Sequence, residues 1–265
     1  MKHEILSFLP GDHPWQNTLF CYESIPSTND LAKTMAREGA PEGTVVIAAR
    51  QTAGRGRLGR QFHAPEGLGL YFSLILRPNC SPRDLFHLTC AAGVAACNAV
   101  EHAAGLRPRI KWTNDLVIGT KKLGGILTEL SVTENGKVEW AILGIGINCL
   151  HRESDFPDDI RSIATSILRE TNKAVSPALL AARLMQALHP ICNALLAEKA
   201  SIMEQYRKDC MTLNQQIVLL RGDEKRYGTA LSIDDDGGLI VRFDDGTAET
   251  VQAGEISVRG MYGYV

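Results

Sequence analysis

The sequence predicts a mixed α/β domain followed by a small module of β-strands. Apolar runs with helical spacing alternate with short runs rich in Val, Ile and Leu, which indicates helices and strands in one domain. An Asn-Gly pair at 135–136 separates two of the strand-like runs, as in a tight hairpin. After about residue 213 the chain consists of short strand-like runs divided by Asp- and Gly-rich turns. We therefore expect a first domain over 1–212 and a β-module over 213–265.

Helix-capping residues, apolar periodicity and turn residues predict the helices and strands of the first domain. Capping-type residues at 27–30 precede an apolar pattern, and Gly39 supplies a stop, which predicts the first helix. A stripe of Leu and Ala predicts a long helix over 82–104, and similar patterns predict helices over 159–170 and 176–208. The predicted strands are 44–50, 69–76, 107–112, 115–118, 123–131 and 137–147.

The β-module has five strand-like runs in about fifty residues, which is typical of a small β-barrel. The runs begin at Ile217, Tyr227, Leu239, Ala248 and Ile256.

Composition excludes several classes of protein. The chain has 265 residues, 45% of them apolar and 22% charged, with a net charge of −2, so a protein that mainly coats nucleic acid is excluded. Its seven cysteines include no CxxC spacing, which argues against a disulfide framework or a zinc site. No run of 18 apolar residues and no signal-peptide pattern occur, so we expect no membrane segment and a cytoplasmic location.

A loop of alternating glycines and arginines, Gln51–Arg60, is the most informative segment. No acidic residue lies between Gly43 and Pro65 to neutralise it. Glycine permits close backbone approach and guanidinium groups bind phosphate or carboxylate, so this loop is suited to closing over an anion. Its Gly-x-Gly-x-x-Gly spacing also matches the dinucleotide fingerprint, but a strand-like run follows where that fingerprint requires a helix, and we reject this interpretation.

A second polar cluster lies at the ends of predicted strands, in the run Lys111-Trp-Thr-Asn-Asp-Leu116. Asn114 and Asp115 offer oxygen ligands suited to Mg²⁺, although Asn-Asp is also common in hairpin turns. Lys122, before Leu-Gly-Gly, could point into a cleft or into solvent. The run Gly144-Ile-Gly-Ile-Asn148 could form a bulge or a surface on which a ligand lies against backbone.

Taken together and in order, these segments resemble the biotin protein ligases. The matching segments are Ser27-Thr-Asn29, Gln51-Thr-Ala-Gly-Arg-Gly-Arg-Leu-Gly-Arg60, Pro65-Glu-Gly67 with Leu70-Tyr-Phe-Ser73, Lys111-Trp-Thr-Asn-Asp115, Lys122 with Gly125-Ile-Leu, and Gly144-Ile-Gly-Ile-Asn148. The resemblance implies a catalytic domain like that of class II aminoacyl-tRNA synthetases and biotin ligases, with a mixed, largely antiparallel sheet, and an SH3-like C-terminal barrel.

The implied activity has two steps. Biotin and ATP, with Mg²⁺, give biotinyl-5′-AMP, and a lysine of a biotin carboxyl carrier protein, from acetyl-CoA carboxylase or a related enzyme, then receives the biotinyl group. About twenty-five residues precede Ser27, too few for the DNA-binding domain of some relatives, so no DNA binding is expected. Relatives of this form are often dimers, which leaves a homodimer open.

The resemblance also assigns roles to residues. Lys122, Asp115 and Arg57 are implied as catalytic, and Asn114 with Asp115 as the Mg²⁺ ligands. The implied binding residues for biotin and ATP are Ser27, Thr28, Asn29, Gln51, Arg55, Gly56, Arg57, Arg60, Phe62, Lys122, Gly125 and Asn148. Two positions depart from the family: Phe62 replaces a usual Trp that stacks on adenine, and Thr113 replaces a usual Pro.

Two other functions compete with this one. A lipoate–protein ligase or octanoyltransferase shares the catalytic fold but does not normally carry this arginine loop, and a lipoate-labelled product would identify it. A non-catalytic protein could instead bind nucleic acid through the arginine loop, with the β-module as an interaction barrel. Its binding to single strands would fall steeply with salt.

Overall fold

A large sheet with helices on both faces forms the first part of the chain. The structure, a computed structural model, describes residues 1–221, 224–252 and 256–260. The helices are α1 Lys2–Phe8, α2 Thr28–Arg37, α3 Leu88–Ala104, α4 Asp158–Arg161, α5 Ile167–Thr171, α6 Pro177–Asn193 and α7 Lys199–Asp209. The strands of the large sheet are β1 Leu19–Ile25, β2 Val45–Gln51, β3 Gly69–Leu76, β4 Arg109–Lys111, β5 Asp115–Ile118, β6 Lys121–Val132 and β7 Val138–Asn148.

The order of the strands in this sheet is β1-β2-β3-β7-β6-β5-β4. β1 and β2 are parallel, and every other neighbouring pair is antiparallel. The mixed, largely antiparallel sheet predicted from the sequence is therefore confirmed. The Asn-Gly hairpin is confirmed as well: Gly136 has φ +74, in the left-handed region that glycine favours, and its N–H donates to the Thr133 carbonyl at 2.9 Å.

The two faces of the sheet are covered unequally. Helices α3 and α6 pack against one face, where most of the apolar core lies. The other face carries α2, whose Ala32 and Ala36 pack on a small cluster that includes Val46, Ile75 and Ile142. Since α2 has only three turns, it covers part of that face and leaves the rest available for a cavity.

The C-terminal strands form a second sheet, all antiparallel, in the order β11-β10-β9-β8-β12. Its strands are β8 Gln216–Arg221, β9 Glu224–Ile233, β10 Leu239–Phe243, β11 Ala248–Val251 and β12 Ile256–Gly260, so all five predicted strands are confirmed. The domain boundary at residue 212 stays a prediction.

The second sheet is joined to the first through the turn between β9 and β10. Helix α7 holds this turn through ion pairs from Lys199 to Asp236 and from Arg207 to Asp235. The Trp112 indole N–H donates to the Gly237 carbonyl at 2.9 Å. The C-terminal sheet therefore contacts the segment just before Asn114.

Several predicted helix bounds are wrong. The helix expected over 82–104 begins with a separate 3-10 turn at Pro82–Leu85, and the one expected over 176–208 is divided into α6 and α7. The helix expected over 159–170 is interrupted because its middle pairs with a strand: the Lys122 N–H donates to the Ile163 carbonyl at 2.7 Å. Helix α1 and strand β1 were not predicted at all. Among the described residues, no helix has the length and apolarity needed to cross a bilayer.

Candidate active site

A cavity of about 570 Å³ opens on the sheet face that α2 covers only in part. This volume lies in the range of small-molecule sites. The cavity brings together nearly all of the predicted site residues: Ser27, Thr28, Asn29, Gln51, Arg55, Gly56, Arg57, Arg60, Phe62, Asn114, Asp115, Lys122 and Gly125. Asn148 does not line it, because its side chain is buried and donates to the Thr165 carbonyl at 2.9 Å.

Two glycines of β7 create the space for the cavity walls. A Cβ at Gly144 would lie 2.1 Å from Asn29 Oδ1, and a Cβ at Gly146 would lie 2.7 Å from the Phe62 ring. Side chains of alternate residues point to the same face of a strand, so any larger residue at 144 or 146 would occupy the site. Pairing of β7 with β3 and β6 is regular from Gly144 to Asn148, so no bulge occurs there, and contact of a ligand with this backbone stays a prediction.

One end of the cavity is a polar pocket at the start of α2. Ser27 caps the helix, and its Oγ accepts a backbone N–H of the first turn at 3.3 Å. Gln51 Oε1 accepts from the Thr28 N–H at 2.7 Å and from its Oγ1 at 3.0 Å. Ser73 Oγ lies 2.8 Å from Thr28 Oγ1 and 2.6 Å from Asn29 Oδ1. These mutual bonds fix the side chains in place before any ligand binds.

The arginine loop forms a short hairpin over the cavity. Its two arms are joined by backbone bonds from Gly56 N to Arg60 O, at 2.8 Å, and from Phe62 N to Gly54 O, at 2.9 Å. A Cβ at Gly54 would lie 2.5 Å from the Phe62 carbonyl oxygen, so the close approach of the arms requires glycine there. Gly59 has φ +72 and makes the turn.

Two arginines hold this hairpin against the rest of the domain. Arg55 pairs with Asp30 of α2 at 2.6 Å, and this hydrogen bond raises the pKa of Arg55. Arg57 donates to Asn114 Oδ1 at 2.9 Å and to Thr113 Oγ1 at 3.2 Å. Burial lowers the pKa of Arg57, and the nearby Asp115 carboxylate opposes that shift. The loop thus spans the cavity from α2 to the β4–β5 turn.

Lys122 and Asp115 form an ion pair in the cavity wall. Lys122 Nζ donates to Asp115 Oδ1 at 2.7 Å, and their side chains are 30% and 16% exposed. The interrupted segment between α4 and α5 fixes the backbone of Lys122, since Ile163 O accepts from it and Thr165 N donates to it at 2.8 Å. Lys122 therefore faces the cavity, and the solvated alternative is wrong.

The side chains of Asn114 and Asp115 suit a magnesium ion only in part. One amide oxygen and one carboxylate are fewer oxygen ligands than a site built from protein alone needs, but they fit Mg²⁺ that is also held by nucleotide phosphates. Asn114 Oδ1 accepts from Arg57 and Asp115 Oδ1 from Lys122, so both oxygens already contact cations. Among the described residues, no three His, Cys, Asp or Glu side chains converge as a metal site.

Some residues that face the cavity were absent from the predicted site. Lys111 lines it although only 8% exposed, which adds a further cation to the cavity. Trp112 and Tyr71 also line it. Glu129, which the sequence left unassigned, contacts Asn29, Lys33 and Arg55. Lys111, Trp112 and Tyr71 lie within the motifs quoted from the sequence. Glu129 follows the Gly125-Ile-Leu motif, and from the sequence it could be either a supporting carboxylate or an edge-strand charge.

Comparison with known proteins identifies the family. Residues 21–148 match the model of the biotin/lipoate A/B protein ligase family, and residues 212–259 match the biotin protein ligase C terminal domain. The bifunctional ligase/repressor BirA of Bacillus subtilis is 36% identical over 239 residues, 89% of this chain and 72% of that protein. The chain belongs to the biotin protein ligase family. Its SH3-like C-terminal sheet agrees with that assignment.

Further relatives of this ligase support the same conclusion. The biotin--[acetyl-CoA-carboxylase] ligase of Paracoccus denitrificans is 32% identical, and the match covers 88% of this chain and 98% of that protein. The Aquifex aeolicus biotin protein ligase in complex with biotin and ATP superposes with a TM-score of 0.76 at 28% identity, covering 91% of this chain and 98% of that one. The C-terminal match is to a domain described for biotin protein ligases, which favours a biotin ligase over the lipoate and nucleic-acid alternatives.

Proposed function

We propose that this ligase condenses biotin with ATP to biotinyl-5′-AMP and transfers the biotinyl group to a lysine of a biotin carboxyl carrier protein. The observation that carries the proposal is one cavity in which a cationic loop faces the Lys122–Asp115 pair beside a preformed polar pocket. Relatives that bind biotin with ATP, or biotinyl-5-AMP in the Leishmania major enzyme, support it (TM-scores 0.76 and 0.62).

The first step joins two anions. A carboxylate oxygen of biotin attacks the α-phosphorus of ATP, the bond to the bridging oxygen breaks, and pyrophosphate leaves with its electron pair. Repulsion between carboxylate and triphosphate must be offset by fixed positive charge. Arg55, Arg57, Arg60, Lys111 and Lys122, all of which line the cavity, supply that charge. Asn114 and Asp115 would hold a Mg²⁺ ion bound to the phosphates, which neutralises further charge.

The second step needs a nucleophilic amine. The acceptor lysine enters as a cation and must lose a proton before its nitrogen attacks the acyl carbon, after which the C–O bond breaks and AMP leaves. Asp115 is the carboxylate positioned to attract the incoming ammonium and take its proton. Lys122, 2.7 Å from Asp115, is positioned to hold the carbonyl and phosphate oxygens in both steps.

The arginine hairpin would protect the adenylate between the two steps. An acyl-adenylate is hydrolysed by water, so a loop that covers it prevents loss of the intermediate. The loop is held on both sides by side-chain contacts of Arg55 and Arg57, which can break and re-form as substrates enter.

The remaining assignments are proposals of the same kind. We assign the pocket of Ser27, Thr28, Asn29 and Gln51 to the biotin head group and Phe62 to the nucleotide end. Asn148, which was expected at the nucleotide end as well, instead holds the Thr165 carbonyl behind the cavity wall. The carrier domain of acetyl-CoA carboxylase or a related enzyme is the partner we expect. A homodimer, a cytoplasmic location, the lack of DNA binding and the boundary at residue 212 stay predictions.

Mass measurement of a carrier domain tests the proposed function directly. Purified protein is incubated with MgATP, biotin and an apo carrier domain known to be competent, and parallel reactions contain lipoate in place of biotin. We expect a mass gain on the carrier that matches biotinylation and depends on ATP. A carrier that gains no mass, or gains lipoate instead, would contradict the proposal.

A further inference from the structure

Glu129 is a carboxylate at the junction of the arginine loop and the polar pocket. It lies on β6, beside Ile142 of β7, and its side chain is 22% exposed. Alternation along β6 places residues 125, 127 and 129 on the face that carries α2 and the cavity. Gly125 and Leu127 line the cavity, whereas Glu129 lies one step beyond its edge.

Glu129 belongs to a compact cluster of two acids and two bases. Lys33 Nζ lies 3.1 Å from Glu129 Oε1 and 2.7 Å from Asp30 Oδ1. Arg55, from the arginine loop, lies 2.6 Å from Asp30 Oδ1 and 3.4 Å from Glu129 Oε1. Burial raises the pKa of Asp30, but hydrogen bonds from Lys33 and Arg55 outweigh it and leave that pKa lowered. Arg55 therefore attaches the loop to a network of four charged side chains with no net charge, and not to one exposed ion pair.

The second oxygen of Glu129 faces the polar pocket. Asn29 Nδ2 donates to Glu129 Oε2 at 2.9 Å and to the Leu127 carbonyl at 3.4 Å, while Asn29 Oδ1 accepts from Ser73 Oγ at 2.6 Å. An amide has two N–H donors and one acceptor oxygen, so these bonds fix which way the Asn29 amide is turned. One carboxylate therefore contacts the loop with one oxygen and the pocket with the other.

We propose that Glu129 is a positioning residue that couples biotin binding to closure of the arginine loop. It acts through Asn29, whose amide it orients, and through Arg55, whose guanidinium it helps to hold over the cavity. This inference rests on the proposed function, because it assigns the polar pocket to biotin. It predicts that one substitution of Glu129 weakens both biotin binding in the polar pocket and closure of the arginine loop.

The change Glu129→Gln separates these contacts from packing, since glutamine has the same shape without the charge. The amide can keep one bond to Asn29 or lose it by turning, but it cannot neutralise Lys33 and Arg55. We expect the KM for biotin to rise about five- to tenfold and the half-life of bound adenylate to fall by a similar factor. The rate of adenylate formation at saturating biotin should change by less than about twofold, since Glu129 does not line the cavity.

Three measurements test the proposal. Steady-state kinetics give KM and kcat for biotin. Trypsin cleavage after the loop arginines reports loop opening without any ligase activity, and it should accelerate in Glu129→Gln. A double-mutant cycle with Arg55→Ala measures coupling: if Glu129 acts through Arg55, the loss of loop protection in the double variant should be well below the sum of the single effects.

Matched variants control for general effects on stability. Glu139→Gln removes a carboxylate on the neighbouring strand that accepts from Ser131 at 2.7 Å and does not line the cavity, so loop cleavage and KM should match the unchanged protein. Asp30→Asn loosens Arg55 without touching Asn29, so cleavage should accelerate with a smaller rise in KM. This variant also keeps the test informative if Glu129→Gln does not fold.

The outcomes distinguish this inference from the proposed function. If the unchanged protein biotinylates the carrier but Glu129→Gln leaves the KM for biotin and loop cleavage unaltered, the positioning role is wrong. The positioning role is also wrong if the effects of Glu129→Gln and Arg55→Ala on loop protection add fully in the double variant. If the unchanged protein forms no biotinyl-adenylate, the proposed function fails instead, and the cleavage data alone report on the contact between Glu129 and the loop.

Discussion

Gly144→Ala tests whether the face of β7 is built around Asn29. The added methyl carbon would lie 2.1 Å from Asn29 Oδ1, 2.8 Å from Cγ and 2.9 Å from Nδ2, all closer than nonbonded carbon contacts allow. Asn29 cannot move aside cheaply, because Ser73 and Glu129 bind its amide at 2.6 and 2.9 Å. The substitution must therefore displace the amide and break these bonds.

The cost follows from the bonds that are lost. A neutral hydrogen bond contributes about 1 kcal/mol and one to a charged group about 1.5–3 kcal/mol, so losing both should destabilise the protein by roughly 2–4 kcal/mol. Because Asn29 is only 4% exposed, water cannot readily replace its partners. The KM for biotin should also rise at least about tenfold, since the pocket loses its fixed amide.

Urea unfolding with linear extrapolation measures the stability change, and initial rates over a range of biotin concentrations measure KM. Gly11→Ala is the matched control, because no atom lies within 4 Å of its ideal Cβ and its φ is not in the left-handed region. If the free energy of unfolding of Gly144→Ala lies within about 0.5 kcal/mol of that of the control and the KM for biotin is unchanged, the reasoning about this site is refuted.

Three further predictions concern charge. Lys122→Ala should slow adenylate formation, measured as pyrophosphate release, about 100-fold or more, whereas Lys121→Ala beside it should not; equal rates would contradict the proposed role of Lys122. Arg57→Gly should speed release of adenylate at least about tenfold, and an unchanged release rate would count against loop protection. Burial lowers the pKa of His151 from 6.5 to about 4, so between those values only the unfolded chain gains the proton. The free energy of unfolding should then fall by about 3 kcal/mol from pH 6.5 to pH 4, and His151→Phe should flatten that slope in urea titrations at each pH.

The sequence predicted the chemistry of the site better than its geometry. The arginine loop was singled out from its residue types, because glycines and arginines suit an anion site. The roles of Lys122 and of the Asn114–Asp115 pair came from the resemblance of the ordered motifs to the family. The sequence left open whether Lys122 faces solvent. That was decided by the segment between α4 and α5, which pairs with its backbone.

The misplaced helices have the same physical origin. Apolar periodicity is a local signal, and it predicts one helix wherever the pattern continues. In the helix predicted over 159–170, the backbone groups around Ile163 instead form hydrogen bonds with Lys122. In the helix predicted over 176–208, the Leu195 carbonyl accepts from His87 Nε2 at 2.9 Å. Both predicted helices are therefore interrupted by tertiary contacts. Helix α1 and strand β1 are short and were not evident as patterns.

The sequence by itself determined that the chain is a mixed α/β ligase with a β-module, because strand patterns, turn residues and the ordered motifs are local properties of the chain. Only the tertiary structure decided what those motifs contact. Gly144 and Gly146 are small because Asn29 and Phe62, far away in sequence, occupy the space above them. Glu129 joins the arginine loop to the polar pocket because β6 passes beneath both, and no local pattern records such a meeting of distant segments.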